Sequence, residues 1–249
     1  MRQSVSVTKP VRTSDGLDDD ALLVLFAAIA SRDDVRVMRM LEQRPGLASH
    51  PLRVGASRQN TGPYFLTPIH HYVYTGDTAL HVAAAAYRRG LAEMLVAQGA
   101  AVGARNRRGA EPLHYAADGH PGSDFLDPGA QGQVISYLID AGADPDAMDK
   151  SGVGPLHRAV RTRSSAAVSA LIDRGADPLL RNKNGSTPLH LAVQNTGKGN
   201  SGSEPAKEEQ YRIIVFLLGH GARATDVDAK GKTVSAAASS DWIRPLLDS

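Results

Sequence analysis

Pairs of large apolar residues recur along the chain, each shortly before a Gly-Ala dipeptide. The pairs are Leu95-Val96, Leu138-Ile139, Leu171-Ile172 and Leu217-Leu218. The glycines that follow them, Gly99, Gly142, Gly175 and Gly221, are separated by 43, 33 and 46 residues. Since glycine readily adopts the left-handed conformation that ends a helix, each apolar pair is predicted to lie at the end of a helix.

A second marker recurs along the chain with the same period. It is a tetrapeptide ending in Leu-His, found at residues 78–81, 111–114, 154–157 and 187–190, with a glycine two residues before each copy. Thr187 is a good helix cap, and Pro188 suits the first helical position, where no backbone N–H is needed. Two independent markers with a matched period therefore predict a repeated helix pair.

This repeat resembles the ankyrin family, whose unit of about 33 residues opens its first helix with Thr-Pro-Leu-His. The resemblance covers residues 72–249 and extends, without the tetrapeptide, to residues 18–46. It implies an all-α ankyrin-repeat solenoid of about five to six units with β-hairpin fingers, in one domain over residues 18–249. The units are predicted at 18–46, 72–104, 105–147, 148–180, 181–226 and 227–249. Residues 1–17 are polar and aperiodic, and are expected to form a disordered tail.

Three insertions interrupt the period, at residues 46–75, 119–132 and 195–208. The last contains G-x-G-x-x-G, but it follows a helix rather than a strand, so no phosphate-binding loop is expected. The first is rich in tyrosine and histidine. Its prolines and the alternating residues 71–74 predict extended strands that form an enlarged finger after the first unit.

Composition narrows the classes of function. The chain has 249 residues, a net charge of +2 and no cysteine, which excludes disulfides and thiol catalysis. No apolar run reaches the roughly 18 residues of a membrane helix, and the N-terminus does not resemble a signal peptide, so a cytoplasmic protein with no membrane partner is expected.

The small net charge does not indicate nucleic-acid binding. No spacing of histidine and carboxylate residues indicates a metal site, and no motif predicts a cofactor.

The resemblance implies that finger tips and first helices together form a concave binding surface. Residues at these positions, with two tyrosines of the insertion, form the predicted partner-binding set: Tyr72, Tyr74, Arg105, Arg107, Arg108, Asp118, Lys150, Arg161, Arg181, Lys183 and Gln194. Because the fingers are basic, the expected partner is another protein with an acidic surface. The alternative for the fingers is a solvated, solubilising edge.

A second interpretation is an enzyme or small-molecule-binding protein, although the chain has no catalytic signature. Its acid–base pocket would lie between insertion 46–75 and the second and third units. The candidate residues are His70, His71, Tyr64, Tyr74, Arg58, His114 and Asp118. In the ankyrin family, however, the tetrapeptide histidine is structural, which competes with a catalytic role for His114. A deep pocket lined by these side chains would favour this interpretation over a flat binding surface.

Overall fold

The computed structural model describes residues 19–119, 127–194 and 202–248. The expected tail at residues 1–17 lies outside these ranges, as do residues 120–126 and 195–201 of the two later insertions. The G-x-G-x-x-G sequence falls almost entirely within the second of these gaps.

The helices of the described residues follow one another in pairs along the chain. They are α1 (Asp19–Ala30) and α2 (Asp34–Gln43), α3 (Ala79–Ala85) and α4 (Arg89–Ala97), α5 (Pro112–Ala117) and α6 (Pro128–Asp140), α7 (Pro155–Arg161) and α8 (Ser165–Asp173), α9 (Pro188–Ala192) and α10 (Glu204–Gly219), and α11 (Val234–Ala237) and α12 (Arg244–Leu247). First helices contact first helices from α1 to α11, and second helices contact second helices from α4 to α10. The fold is therefore an all-α repeat solenoid.

The interior is built from the same positions in successive pairs. The leucine of each tetrapeptide is fully buried, at Leu80, Leu113, Leu156 and Leu189. Burying such a side chain stabilises the fold by about 1.5–3 kcal/mol. Three residues later comes an alanine that is also buried, at Ala83, Ala116, Ala159 and Ala192. Small residues there let neighbouring first helices approach closely.

Three of the four tetrapeptide histidines, those at 81, 114 and 190, join their helix pair to the next finger. The Nδ1 atom of His81 accepts the backbone N–H of Thr78 at 3.2 Å, and its Nε2 lies 3.2 Å from the carbonyl oxygen of Ala110 in the following finger. His190 is bonded in the same way to Thr187 and Lys232. These contacts satisfy a helix start and link two repeats, which supports the structural role that the family resemblance implies for this histidine.

The fingers differ from the predicted β-hairpins, since they are tight turns with almost no strand. Each is closed by one side chain: Asn106 Oδ1 accepts the N–H groups of Arg108 and Ala110 at 2.9 and 3.1 Å. Asp149, Asn182 and Asp228 do the same in later fingers. Because these side chains take the N–H groups that a strand ladder would use, the described fingers contain only an isolated bridge between Val227 and Thr233.

Segment 46–75 also contains less strand than predicted. Strand β1 (Phe65–Leu66) pairs antiparallel with β2 (His71–Tyr72), and each has only two residues. Pro63 and Pro68 lie in the first turns of short 3-10 helices, where proline cannot extend a strand ladder. The two ends of the segment are joined, since the N–H of Ala56 donates to the Val73 carbonyl at 2.8 Å. The segment therefore follows a fixed path, with Val73 buried in the core.

The later insertions end in helix. Helix α6 begins at Pro128, after Asp127 accepts the N–H of Ala130, and α10 begins at Glu204. These second helices have 13 and 16 residues, whereas α4 and α8 have 9. Part of the extra length predicted at 119–132 and 195–208 is thus used to lengthen the second helix of a pair.

Candidate functional site

A cavity of about 290 Å³ opens where segment 46–75 faces the next fingers and first helices. We call it the Arg158 cavity. Its residues come from 70–74, from the fingers around Asn106 and Asp149, and from helices α5 and α7 with Asp118, the residue that follows α5. Histidine and tyrosine rings line one side, and arginine and aspartate side chains line the other.

The aromatic side is fastened to the neighbouring finger through Tyr74. Its hydroxyl accepts a hydrogen bond from Arg108 Nη1 at 2.9 Å. The guanidinium carbons of Arg108 and Arg107 lie 4.9 and 5.4 Å from the centre of the Tyr74 ring, in cation–π geometry. The His71 ring lies 4.3 Å from the ring of Tyr115 on α5. These contacts fix the position of the segment relative to the repeats.

Behind this side lies a fully buried carboxylate, Asp77. It accepts hydrogen bonds from the Tyr115 hydroxyl at 2.8 Å, from the Asn106 side-chain amide at 2.8 Å and from the Tyr74 N–H at 2.6 Å. Burial, and then the charge of Asp77, raise the pKa of Tyr115 well above its ordinary value. The Tyr115 hydroxyl therefore stays protonated and donates a hydrogen bond to Asp77. This buried network holds Tyr115 and Asn106, which line the cavity, in place.

The charged side is centred on Arg158 of α7, whose side chain is only 15% exposed. Its Nη1 lies 2.9 Å from Asp118 Oδ2, and its Nη2 lies 3.3 Å from Asp149 Oδ2. Burial disfavours the charged guanidinium, but the two carboxylates outweigh it, so the pKa of Arg158 is raised. Backbone N–H groups of Val153 and Ser151, together with Arg158, outweigh the opposing effect of burial and lower the pKa of Asp149.

A second arginine of α7, Arg161, also lines the cavity. Arg161, one turn beyond Arg158, is exposed, and none of the residues described by the structure forms an ion pair or hydrogen bond with its guanidinium. The cavity thus combines Arg158, which is buried and paired, with Arg161, which is exposed and has no such partner among the described residues. This arrangement can bind an anionic group near the opening.

The structure brings together only part of the predicted partner-binding set. Tyr72, Tyr74, Arg108, Asp118 and Arg161 line the Arg158 cavity. Six other members lie elsewhere on the fingers or first helices: Arg105, Arg107, Lys150, Arg181, Lys183 and Gln194.

Two of those arginines join adjacent fingers. The Arg105 guanidinium donates to the carbonyls of Gly109 and Met148, and that of Arg181 donates to the carbonyls of Gly185 and Val227. Arg107 likewise donates to the Ala56 carbonyl of segment 46–75. Arginines that appear in the sequence as a basic edge therefore also hold the fingers together.

The predicted acid–base set is not assembled as a pocket. His70, His71, Tyr74 and Asp118 line the cavity, but Arg58 and Tyr64 do not. His114 is fully buried, and its two ring nitrogens bond to the Glu111 N–H and the Val153 carbonyl. Burial, and then Arg158, lower the pKa of His114 to about 4. Both ring nitrogens of His114 are therefore used within the repeat stack, and neither is available to a ligand.

Sequence reasoning missed several residues of the cavity, above all Arg158, Asp149 and Tyr115. A signal for two of them was present. Tyr115 and Arg158 directly follow the tetrapeptide histidine, where the other copies carry Val82 and Leu191. A polar or charged residue at a repeat position that is apolar in the other copies indicates a polar contact there in place of apolar packing.

Two other kinds of feature are absent from residues 19–119, 127–194 and 202–248. These residues contain no group of three or more His, Asp or Glu side chains placed to hold a metal ion. None of their helices is long and apolar enough to span a bilayer.

Comparison with known families agrees with the fold. A family model described as ankyrin repeats, in three copies, matches residues 129–228, and a model of the single ankyrin repeat matches residues 75–107. No curated protein matches the chain. The two matches together span more than half of the sequence and coincide with the stacked helix pairs, so the chain belongs to the ankyrin-repeat family.

Proposed function

We propose that this protein is an interaction module that binds another protein on the face formed by its fingers and first helices. Ankyrin repeats are generally protein–protein interaction modules, which supports this class of function. In this proposal the solenoid has six units, with segment 46–75 as an enlarged first finger that borders the binding face. The partner presents an acidic surface, and the encounter takes place in the cytoplasm.

The Arg158 cavity is the observation that carries the proposal. Tyr72, which is 38% exposed, and the exposed side chain of Arg161 both line it. Tyrosine and arginine are the side chains most often found as anchors in protein interfaces, because they bury a large area and donate directional hydrogen bonds. Tyr74 and Arg108 are already held in place by each other, so little conformational freedom remains to be lost on binding.

The alternative of an enzyme has less support. The cavity lies at the small end of the range of about 300–1,000 Å³ that is typical of small-molecule pockets. Of its proposed acid–base residues, His114 is occupied within the repeat stack and Asp118 is paired with Arg158. A surface that captures side chains of a protein fits these observations better than a reaction centre.

Site-specific photocrosslinking in cell extract tests the proposed face. A photoreactive phenylalanine analogue replaces Tyr72 in one variant and Tyr211 in another. These two tyrosines are 38% and 43% exposed, but Tyr211 lies on α10, a second helix away from the fingers. We expect protein adducts from position 72 that excess unmodified protein suppresses, and none from position 211. Adducts of equal yield at both positions, or none at position 72, would contradict the proposal.

A further inference from the structure

We infer that the Arg158 cavity receives a single carboxylate, the side chain of a glutamate or aspartate on the bound protein. The inference rests on the proposed function, because it names the group that the partner inserts. It follows from the balance of charge in the cavity, from the donors left unused there, and from the rings that flank them.

The balance of charge favours one negative charge. The arginines that line the cavity are Arg108, Arg158 and Arg161, and the carboxylates are Asp118 and Asp149. These three arginines and two aspartates sum to one positive charge. A carboxylate neutralises it. A phosphate monoester, with about −1.5 to −2 charges, would leave excess negative charge beside two aspartates.

Unused hydrogen-bond donors lie on the exposed part of the charged side. Arg158 already donates to Asp118 and Asp149, but none of the described residues accepts a hydrogen bond from the Arg161 guanidinium. Within the described residues, the Arg108 guanidinium uses one of its five N–H donors in a hydrogen bond to the Tyr74 hydroxyl. Guanidinium and carboxylate groups pair through two parallel hydrogen bonds, which makes such a contact both strong and directional.

The aromatic side suits the stem of the incoming side chain. Tyr72 and Tyr74 line the same cavity as the arginines, and Arg108 is stacked over the Tyr74 ring. The methylene groups of a glutamate can pack against these rings while its carboxylate turns towards Arg161. A cavity of about 290 Å³ with an open mouth accepts a side chain that is carried in on a protein surface.

Small compounds that mimic the inserted side chain test the inference without the partner protein. The full chain, labelled with ¹⁵N, is titrated with N-acetylglutamate amide, its neutral isostere N-acetylglutamine amide, and N-acetylphosphoserine amide, at constant ionic strength. We expect saturable shifts of the Arg161 and Arg108 side-chain signals with the glutamate compound. Binding of the other two is expected to be at least about tenfold weaker.

Two variants show whether the shifts come from this cavity. Arg161→Gln removes the unpaired guanidinium and should abolish saturable binding. Arg36→Gln removes one positive charge from an exposed position on α2, a second helix outside the cavity, and should leave the affinity unchanged. Circular dichroism of each variant verifies that the fold is intact.

Three results would overturn the inference: equal binding of the glutamate and glutamine compounds, tighter binding of the phosphoserine compound, or no saturable shift with any of them. The titration and the crosslinking experiment together distinguish failure of the carboxylate site from failure of the proposed function. Crosslinks at position 72 without glutamate selectivity would keep the interaction face and remove the carboxylate site. Glutamate selectivity without such crosslinks would do the reverse.

Discussion

Acid is expected to destabilise this protein through its buried histidines before most of its carboxylates titrate. Burial is the largest cause that lowers the pKa values of His81, His114 and His157. All three rings are fully buried and lie between consecutive repeats. In the unfolded chain these rings regain a pKa of about 6.5. Below that pH the unfolded state therefore binds more protons than the folded state, and folding loses free energy.

His114 gives the magnitude, since its folded pKa is about 4. Its contribution to stability is fully present above pH 6.5 and is lost as the pH falls towards 4. Linkage between these two pKa values gives a loss of about 2 kcal/mol at pH 5 and about 3 kcal/mol once both states are protonated. Glu111 acts in the opposite direction, because burial raises the pKa of its carboxyl group. Protonation of Glu111 in the folded state therefore offsets part of the loss at the lower end of this window.

Urea unfolding followed by circular dichroism at about pH 7.5, 6 and 5 measures this effect. The informative variant is His114→Gln, because glutamine at this helix position can still accept the Glu111 N–H but does not ionise. Between pH 7.5 and 5 we expect the variant to lose about 2 kcal/mol less stability than the wild type. His220→Gln makes the same substitution at an exposed histidine and controls for it. Identical pH dependence of the wild type and His114→Gln would refute the reasoning.

Three further predictions follow from the buried network, the fingers and the charge of the binding face. Tyr115→Phe removes a hydroxyl that donates to buried Asp77 and should lower the free energy of unfolding by about 1.5–3 kcal/mol, measured by urea denaturation. Gly185→Ala should cost more than Gly231→Ala in the same assay. Both glycines have positive φ, but only at Gly185 would a Cβ lie 2.5 Å from the Ala229 nitrogen, whereas the Cβ position at Gly231 is open. The cost at Gly231 is expected to be about 1 kcal/mol. Raising salt should slow crosslinking at position 72, because screening weakens attraction between the basic fingers and an acidic partner.

The sequence predicted the repeat because each marker obeys a local physical requirement. Gly76, Gly109, Gly152 and Gly185 all have positive φ at equivalent finger positions, where a side chain would be strained. The tetrapeptide histidines bond within three residues of their own helix start. Such requirements are met by neighbours in the chain, so they can be recognised without knowledge of the fold.

The Arg158 cavity could not be predicted in the same way, since its contacts join distant residues. The path of segment 46–75 depends on pairs such as Tyr74 with Arg108, which are 34 residues apart, and Tyr115 with Asp77, which are 38 apart. The position of Asp149 in the repeat predicts a turn-closing side chain, as found, but it does not indicate the pairing with Arg158. Tyr72, Tyr74 and Arg161, which the sequence analysis placed in the partner-binding set, nevertheless all line this cavity.

The presence of an arginine at position 158 is not explained by the packing of the repeats. The equivalent position in the next repeat is Leu191, so an apolar side chain is compatible with the stack. Buried ion pairs generally contribute no more stability than well-packed apolar residues of similar size. Stability alone therefore does not account for an arginine that is held by both Asp118 and Asp149. The pairs do fix the charged side of the cavity next to Arg161, and this arrangement is useful for recognising a charged group on a partner.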